Sequence, residues 1–230
     1  MDYFSRALAG AIQLIFSFDP TVYQIAWTSL WISLSAAFIA AFLAVPLGVV
    51  FALSEFTGKR LLQHVLNTMM ALPTVVVGLL LYGVLSRRGP LGELGLLYTP
   101  AAVVVGECLL IFPIIMNLTI AAICSADKRL LPTLQALGAN QSQQIFLLLS
   151  EMRLAVLAAV IAGCGRAIGE VGVAMMLGGN IQGYTRTMTT AIALEASKGE
   201  FEQGLALGTL LLTIAFAIYA ILSLLRGTDE

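Results

Sequence analysis

Few side chains in this sequence could do chemistry, and their placement limits what that chemistry could be. Arg166 and Glu170 stand four apart in an otherwise apolar run, so on a helix they share a face and can pair. Glu107 lies alone in apolar sequence ahead of Pro113. An ionisable group in such surroundings is costly, and it is a functional candidate unless it is protonated or partnered by a neighbouring helix. Arg166 and Glu170 read either as a neutralised pair that fixes helix packing or as a polar station beside a path for solute. Packing is favoured, because a fixed cation in the middle of a pore would hold an anion instead of releasing it. His64 has no Ser, Asp or Cys beside it in a nucleophile motif. Cys108, Cys124 and Cys164 lie in apolar runs without C-x-x-C or metal-ligand spacing. No catalytic, cofactor-binding or metal-binding set is expected.

The elements that must position these residues are membrane helices. Hydrophobic residues make up 59% of the chain, charged residues 11%, and the mean hydropathy is +0.95. Ordinary soluble domains carry roughly 25% charged residues, so the class is a polytopic, all-α integral membrane protein with the lipid bilayer as a partner. The net charge of -1 gives no field that would argue for nucleic acid. The N-terminal stretch, with one acid and one base before a modest apolar run, is a poor signal peptide, and the chain is expected to be retained whole.

Residues 1–18 space Leu8, Ile12, Ile15 and Phe16 as one helical face and stop at Asp19-Pro20, which predicts an interfacial helix, since a span needs about 20 apolar residues. Five spans are expected, over 21–53, 61–86, 99–124, 152–177 and 204–225. The first is long enough to tilt, kink at Pro46 or project into water. Pro73 falls near the middle of the second, where Thr74 could satisfy the carbonyl that a proline frees. Pro73 reads either as a packing kink or as a bend that shapes a pathway. In the fourth, Gly165 and Gly169 stand in G-x-x-x-G spacing among other small residues, a face that lets another helix approach closely.

Between the third and fourth spans, 125–151 is a polar loop. Pro132-Thr133-Leu134-Gln135-Ala136-Leu137 reads as a short helix closed at Gly138, and a second helix starts near Asn140 or Ser142 and continues past Glu151 and Arg153 into the fourth span. The segment 178–203 breaks at Gly178-Gly179-Asn180; Thr187 or Thr189 can cap a short helix that ends at Gly199.

The loop resembles the "EAA" loop of permease subunits in ABC importers, with Gly138 and Ala139 at its central glycine. It departs from that pattern at Pro132-Thr133-Leu134, where Glu-Ala-Ala would stand, and at Ser150-Glu151, where Leu-Pro would stand. The run Gly165-Arg166-Ala-Ile-Gly-Glu170-Val-Gly, continuing through Asn180-Ile181 to Tyr184-Thr-Arg186 and Glu195, is similar to the oxyanion branch of these permeases, and Glu151-x-Arg153 with Glu195-x-Ser-Lys198-Gly-Glu200 is most similar to tungstate permeases. The resemblance implies the ABC importer type I permease fold, with five transmembrane helices and the N-terminal interfacial helix. It further implies tungstate or molybdate as solute, and a homodimer working with two ATP-binding subunits and an extracytoplasmic oxyanion-binding protein. ATP would be bound by a partner, since the chain has no G-x-x-x-x-G-K-[ST] loop.

On this resemblance Pro132 to Asn140 (Pro132, Thr133, Leu134, Gln135, Ala136, Leu137, Gly138, Ala139, Asn140) would couple to the ATPase. Pro73, Thr74, Glu107, Gly165, Arg166, Gly169 and Glu170 would line the path or pack it. Asn180, Arg186, Lys198 and Glu200 would meet the binding protein. Basic residues outside the spans number six on the loop side (Lys59, Arg60, Lys128, Arg129, Arg153, Arg226) and five on the other (Arg6, Arg87, Arg88, Arg186, Lys198), a margin that does not set orientation. The resemblance places 125–151 in the cytoplasm. The rivals are an intramembrane enzyme, which lacks a catalytic constellation here, and an ion-coupled secondary transporter, whose internal repeats are not evident.

Overall fold

Asp19 and Pro20 start the first long helix by complementary means. The Asp19 carboxylate accepts from the N–H groups of Thr21 (2.9 Å) and Val22 (3.1 Å), and Pro20 takes a first-turn position where no donor is missed. In the computed structural model, which describes residues 3–127 and 129–227, α1 (Tyr3–Phe16) precedes this helix, α2 (Pro20–Leu53). Lys128, counted above among the basic residues, lies outside the described residues. α2 remains one helix through Pro46, and its 34 residues extend about 51 Å, well beyond a hydrocarbon core of about 30 Å.

α5 (Pro100–Cys124) packs along α2. Ser33 meets Glu107 towards one end, and Gly48 approaches Thr119 towards the other, where a Cβ on the glycine would lie 3.0 Å from the Thr119 Cβ. These two helices enclose the centre of the core with α8 (Arg153–Ile168) and α11 (Phe201–Gly227). Ile32, Ala36 and Ala40 of α2 pack there with Ile111 and Ile115 of α5, Ala167 and Ile168 of α8, and Leu207 of α11. α1 lies against α11, with Gly10 close beside the Glu202 side chain.

The segment 61–86 is not one helix. α3 (Lys59–Met70) and α4 (Thr74–Leu85) meet at 98°. Pro73 stands between the helices with φ -62° and ψ 121°, and its carbonyl accepts from Val76 and Val77 as α4 begins. The Met69 carbonyl is met by the Leu72 N–H, so Thr74 is not needed there. Thr74 instead packs its hydroxyl against Gly172. The expected run from the polar loop into the fourth span is likewise divided: α7 (Gln141–Glu151) turns by 73° at Met152 into α8, and the chain breaks again at residues 169–171 before α9 (Gly172–Gly178). α6 (Leu130–Ala136) and α10 (Met188–Lys198) complete the set.

Among the described residues the regular structure is helical throughout, with one 3-10 turn at Gly92–Leu94. Three helices are long and apolar enough to cross a membrane, and up to five crossings are available if each bent pair serves as one. Glycines admit the closest approaches: a Cβ at Gly106 of α5 would collide with Val173 and Leu177 of α9, and one at Gly163 of α8 with Ile115 of α5.

Candidate functional site

The α6–α7 hairpin is built by its caps. Gly138 has φ +78°; its N–H donates to the Gln135 carbonyl (3.0 Å), and the Ala139 N–H donates to that of Leu134 (2.9 Å), the double closure of a Schellman ending. Asn140 then opens α7 with a capping box: its side chain accepts from the Gln143 N–H (2.9 Å), while the Gln143 side chain accepts from the Asn140 N–H (2.8 Å). α6 starts at Leu130, two residues ahead of the expected Pro132, which keeps the proline in the first turn. Leu148 is buried with Val49 and Ile123, with Leu130, Leu131 and Ile145 packed round them, so the hairpin is seated on the ends of α2 and α5. Leu137 and Phe146 point the other way, 77% and 73% exposed.

Arg166 stands in the last turn of α8, and Glu170 in the break before α9. The guanidinium Nη1 donates to Glu170 Oε2 at 2.6 Å, and Glu170 Oε1 accepts from the Val173 N–H at 3.1 Å, which stitches α8 to the first turn of α9. The Glu170 carbonyl accepts from the Thr189 hydroxyl at 2.6 Å. Glu107 lies in the same neighbourhood, hydrogen-bonded to Ser33 and within electrostatic range of both members of the pair. Glu107 is 1% exposed, and its Oε2 has no hydrogen-bond partner. The expected pair thus exists, and a third carboxyl group, that of Glu107, stands beside it.

Among the described residues, Gly165 and Gly169 do not pack against another helix. A Cβ at Gly165 would meet nothing within 4 Å, and one at Gly169 would touch only backbone of its own helix. Both open onto an apolar groove of about 810 Å³ between α5, α8 and α11, floored by small residues such as Ala121, Ala158 and Ala162.

The 178–203 segment is tied down more closely than its glycines suggest. Thr185 donates to the Gly178 carbonyl (2.6 Å) and accepts from Ile181. Thr187 caps α10 in a box with Thr190, and Ser29 of α2 accepts from the Met188 N–H (2.7 Å). Arg186 is turned onto Asn180, its Nε 3.2 Å from Oδ1, and Lys198 pairs with the buried Glu195 at 3.0 Å. Glu200 lines a second apolar groove, with Ile192 and Gly208. Of the four expected docking residues, two are therefore spent on each other and a third is held by its neighbour.

Sequence reasoning found Thr187 as a cap but missed Ser33 beside Glu107 and the bond from Thr189 to the Glu170 carbonyl, because Ser and Thr in apolar runs carry no spacing signal for contacts between distant segments. It also missed the amide cluster of Gln63 with Asn67 (3.2 Å) and Asn117, whose isolation within apolar α5 was the available clue.

The family described as "Binding-protein-dependent transport system inner membrane component" matches residues 44–226. The tungstate uptake system permease protein TupB of Peptoclostridium acidaminophilum is 41% identical over 222 residues, 96% of this chain and 97% of that one. The protein of the same name from Campylobacter jejuni is 37% identical, covering 99% and 95% of the two chains. Among solved structures, the inward-facing MetNI methionine ABC transporter superposes with a TM-score of 0.77 over 91% of this chain and 96% of that one; at 15% identity the likeness is one of fold.

Proposed function

The chain belongs to the family of binding-protein-dependent transport system inner membrane components, and from that membership we infer that it is the permease subunit of an ATP-driven tungstate importer. The observation that carries the solute is the 41% identity, over nearly the full length of both chains, with a tungstate uptake permease. Molybdate, a tetrahedral dianion of the same charge, is the second solute of this reading. The subunit works as a homodimer with two ATP-binding subunits and an extracytoplasmic oxyanion-binding protein.

The geometry supports a division of labour. α6 and α7 form a lever whose exposed Leu137 and Phe146 would enter a groove of the ATPase, while buried Leu148 transmits its displacement to the ends of α2 and α5. The breaks at Pro73, Met152 and Glu170 give the chain places to re-angle without unravelling whole spans. Arg166 is neutralised by Glu170, so the path beside it carries no fixed unpaired cation to trap a dianion. The groove floored by Gly165 and Gly169 faces the second copy.

Uptake of tungstate against molybdate and sulfate, in cells with and without the gene, tests the solute. Loss of tungstate uptake on deletion supports the reading, and unchanged tungstate uptake with loss of another solute contradicts it.

A further inference from the structure

At the end of α5 opposite the α6–α7 hairpin, the segment after α4 encloses a concavity of about 580 Å³ lined by Tyr82, Ser86, Arg87, Arg88 and Tyr98, among others. A second, of about 500 Å³, shares Tyr82 and Tyr98 and continues to Met175 and Met176 of α9. The lining side chains are arranged as donors. The Ser86 hydroxyl is spent on the Gly83 carbonyl (3.1 Å). The Tyr98 hydroxyl donates to the Tyr82 oxygen (3.3 Å), which leaves the Tyr82 proton free to donate outward. Arg87 and Arg88 are exposed, and among the described residues neither has a carboxylate partner; a guanidinium offers five N–H groups and no acceptor. Glu93, the acidic residue of this segment, does not line the concavity.

The backbone holds this arrangement under strain. Tyr98 has φ 64°, a left-handed conformation that bulky residues rarely adopt. It is kept there by its N–H donating to the Leu177 carbonyl (2.8 Å) and by its ring lying over Gly179, where a Cβ would stand 2.7 Å from Cδ1. The hydrogen bond to Tyr82 holds the Tyr98 phenol above its ordinary pKa, in keeping with its role as the donor of the pair.

We propose that this concavity is a low-affinity receiving site for a tetrahedral oxyanion, bound by Arg87, Arg88 and the Tyr82 hydroxyl before the solute moves on along α4 and α9. A fully ionised oxyanion has acceptors and no donors, which the two guanidiniums and the outward Tyr82 proton match. Solvent screening at the exposed guanidiniums keeps the site weak, as transit requires. The inference rests on the oxyanion-importer reading, but it is read by binding alone. A basic loop can also dock an acidic protein surface; the concavity, with the Tyr82 hydroxyl on its lining, favours the small anion.

The test titrates sodium tungstate into the permease purified with its ATPase subunits and without the binding protein, at constant ionic strength, read by tyrosine fluorescence and calorimetry. Saturable binding in the wild type is expected, weakened about tenfold or more by Arg87→Gln with Arg88→Gln, the scale of lost charge-assisted hydrogen bonds. Tyr82→Phe, which keeps the ring, should weaken it severalfold. Thermal unfolding curves matching the wild type establish that the variants are folded. Absence of saturable binding in the wild type overturns the proposal, as does binding that the double substitution leaves unchanged. If the double substitution abolishes capture of the binding protein while tungstate still binds, the surface is a protein dock and the proposal fails. None of these results depends on cellular uptake, so failure here is separable from failure of the importer reading.

Discussion

Arg166 and Glu170 meet at 2.6 Å across one helical turn, yet the Glu170 side chain is 2% exposed and that of Arg166 is 40% exposed. The carboxylate is the committed member: it also receives the Val173 N–H and marks the α8–α9 break. Removing the arginine leaves a buried charge with one backbone donor, whereas removing the charge of both leaves neutral groups that can still bond. Because the guanidinium is partly solvated, the cost falls below that of a wholly buried pair, at about 1–3 kcal/mol. Arg166→Met should lower the yield and thermal stability of the folded complex, and adding Glu170→Gln should restore both. A well-folded, transport-dead Arg166→Met that the second substitution does not rescue would assign the arginine to the solute instead.

Gly138 closes α6 in a left-handed conformation with open space where a Cβ would stand, so a substitution there costs conformation and not packing. Gly138→Val should cost on the order of 1–2 kcal/mol locally and swing α6 away from its seat. Co-purification of the ATPase should fall, or ATP hydrolysis should proceed without transport. Gly138→Asn, which tolerates the left-handed region, should behave nearly as wild type; equal coupling in all three proteins would put the hinge elsewhere.

Two glycines of similar sequence context should behave in opposite ways. Gly106→Val places a side chain into Val173 and Leu177 and should reduce accumulation of the folded subunit. A Cβ at Gly165 has open space among the described residues, and the groove of about 810 Å³ has room for the rest of a leucine, so Gly165→Leu should fold as a single subunit; if the groove faces a second copy, cross-linking between copies should drop. Undiminished association in Gly165→Leu would move the proposed contact between copies to another face.

Orientation is open to direct labelling. In a variant lacking Cys108, Cys124 and Cys164, a cysteine at Gln141 should react with an impermeant thiol reagent only from the cytoplasmic side. One at Gln182 should react only from outside; both positions are exposed. The reverse pattern would invert the assignment of lever and receiving face.

The caps were legible because they depend on single residues: Gly138, Asn140, Thr187 and Gly199 end or begin helices where their backbone and side-chain preferences place them. The bends were less legible. Pro73 marked a disturbance, but its 98° angle follows from α3 lying on α5 while α4 packs on α9, which no local pattern encodes. Met152 carries neither a proline nor a glycine signal; it turns the chain where Leu148, Leu149 and Met152 pack on the end of α5. The Arg166–Glu170 pair was readable from its spacing, whereas Ser33 beside Glu107 and Thr189 on the Glu170 carbonyl needed the fold to bring distant hydroxyls together.

ATP-driven import of tungstate through this subunit can be reconstituted from purified parts. Proteoliposomes containing the permease, its ATPase subunits and internal ATP, with binding protein and radiolabelled tungstate outside, measure it most directly. Accumulation should require ATP and binding protein and persist when every ion gradient is collapsed. Accumulation that survives without ATP and follows an imposed ion gradient would contradict it.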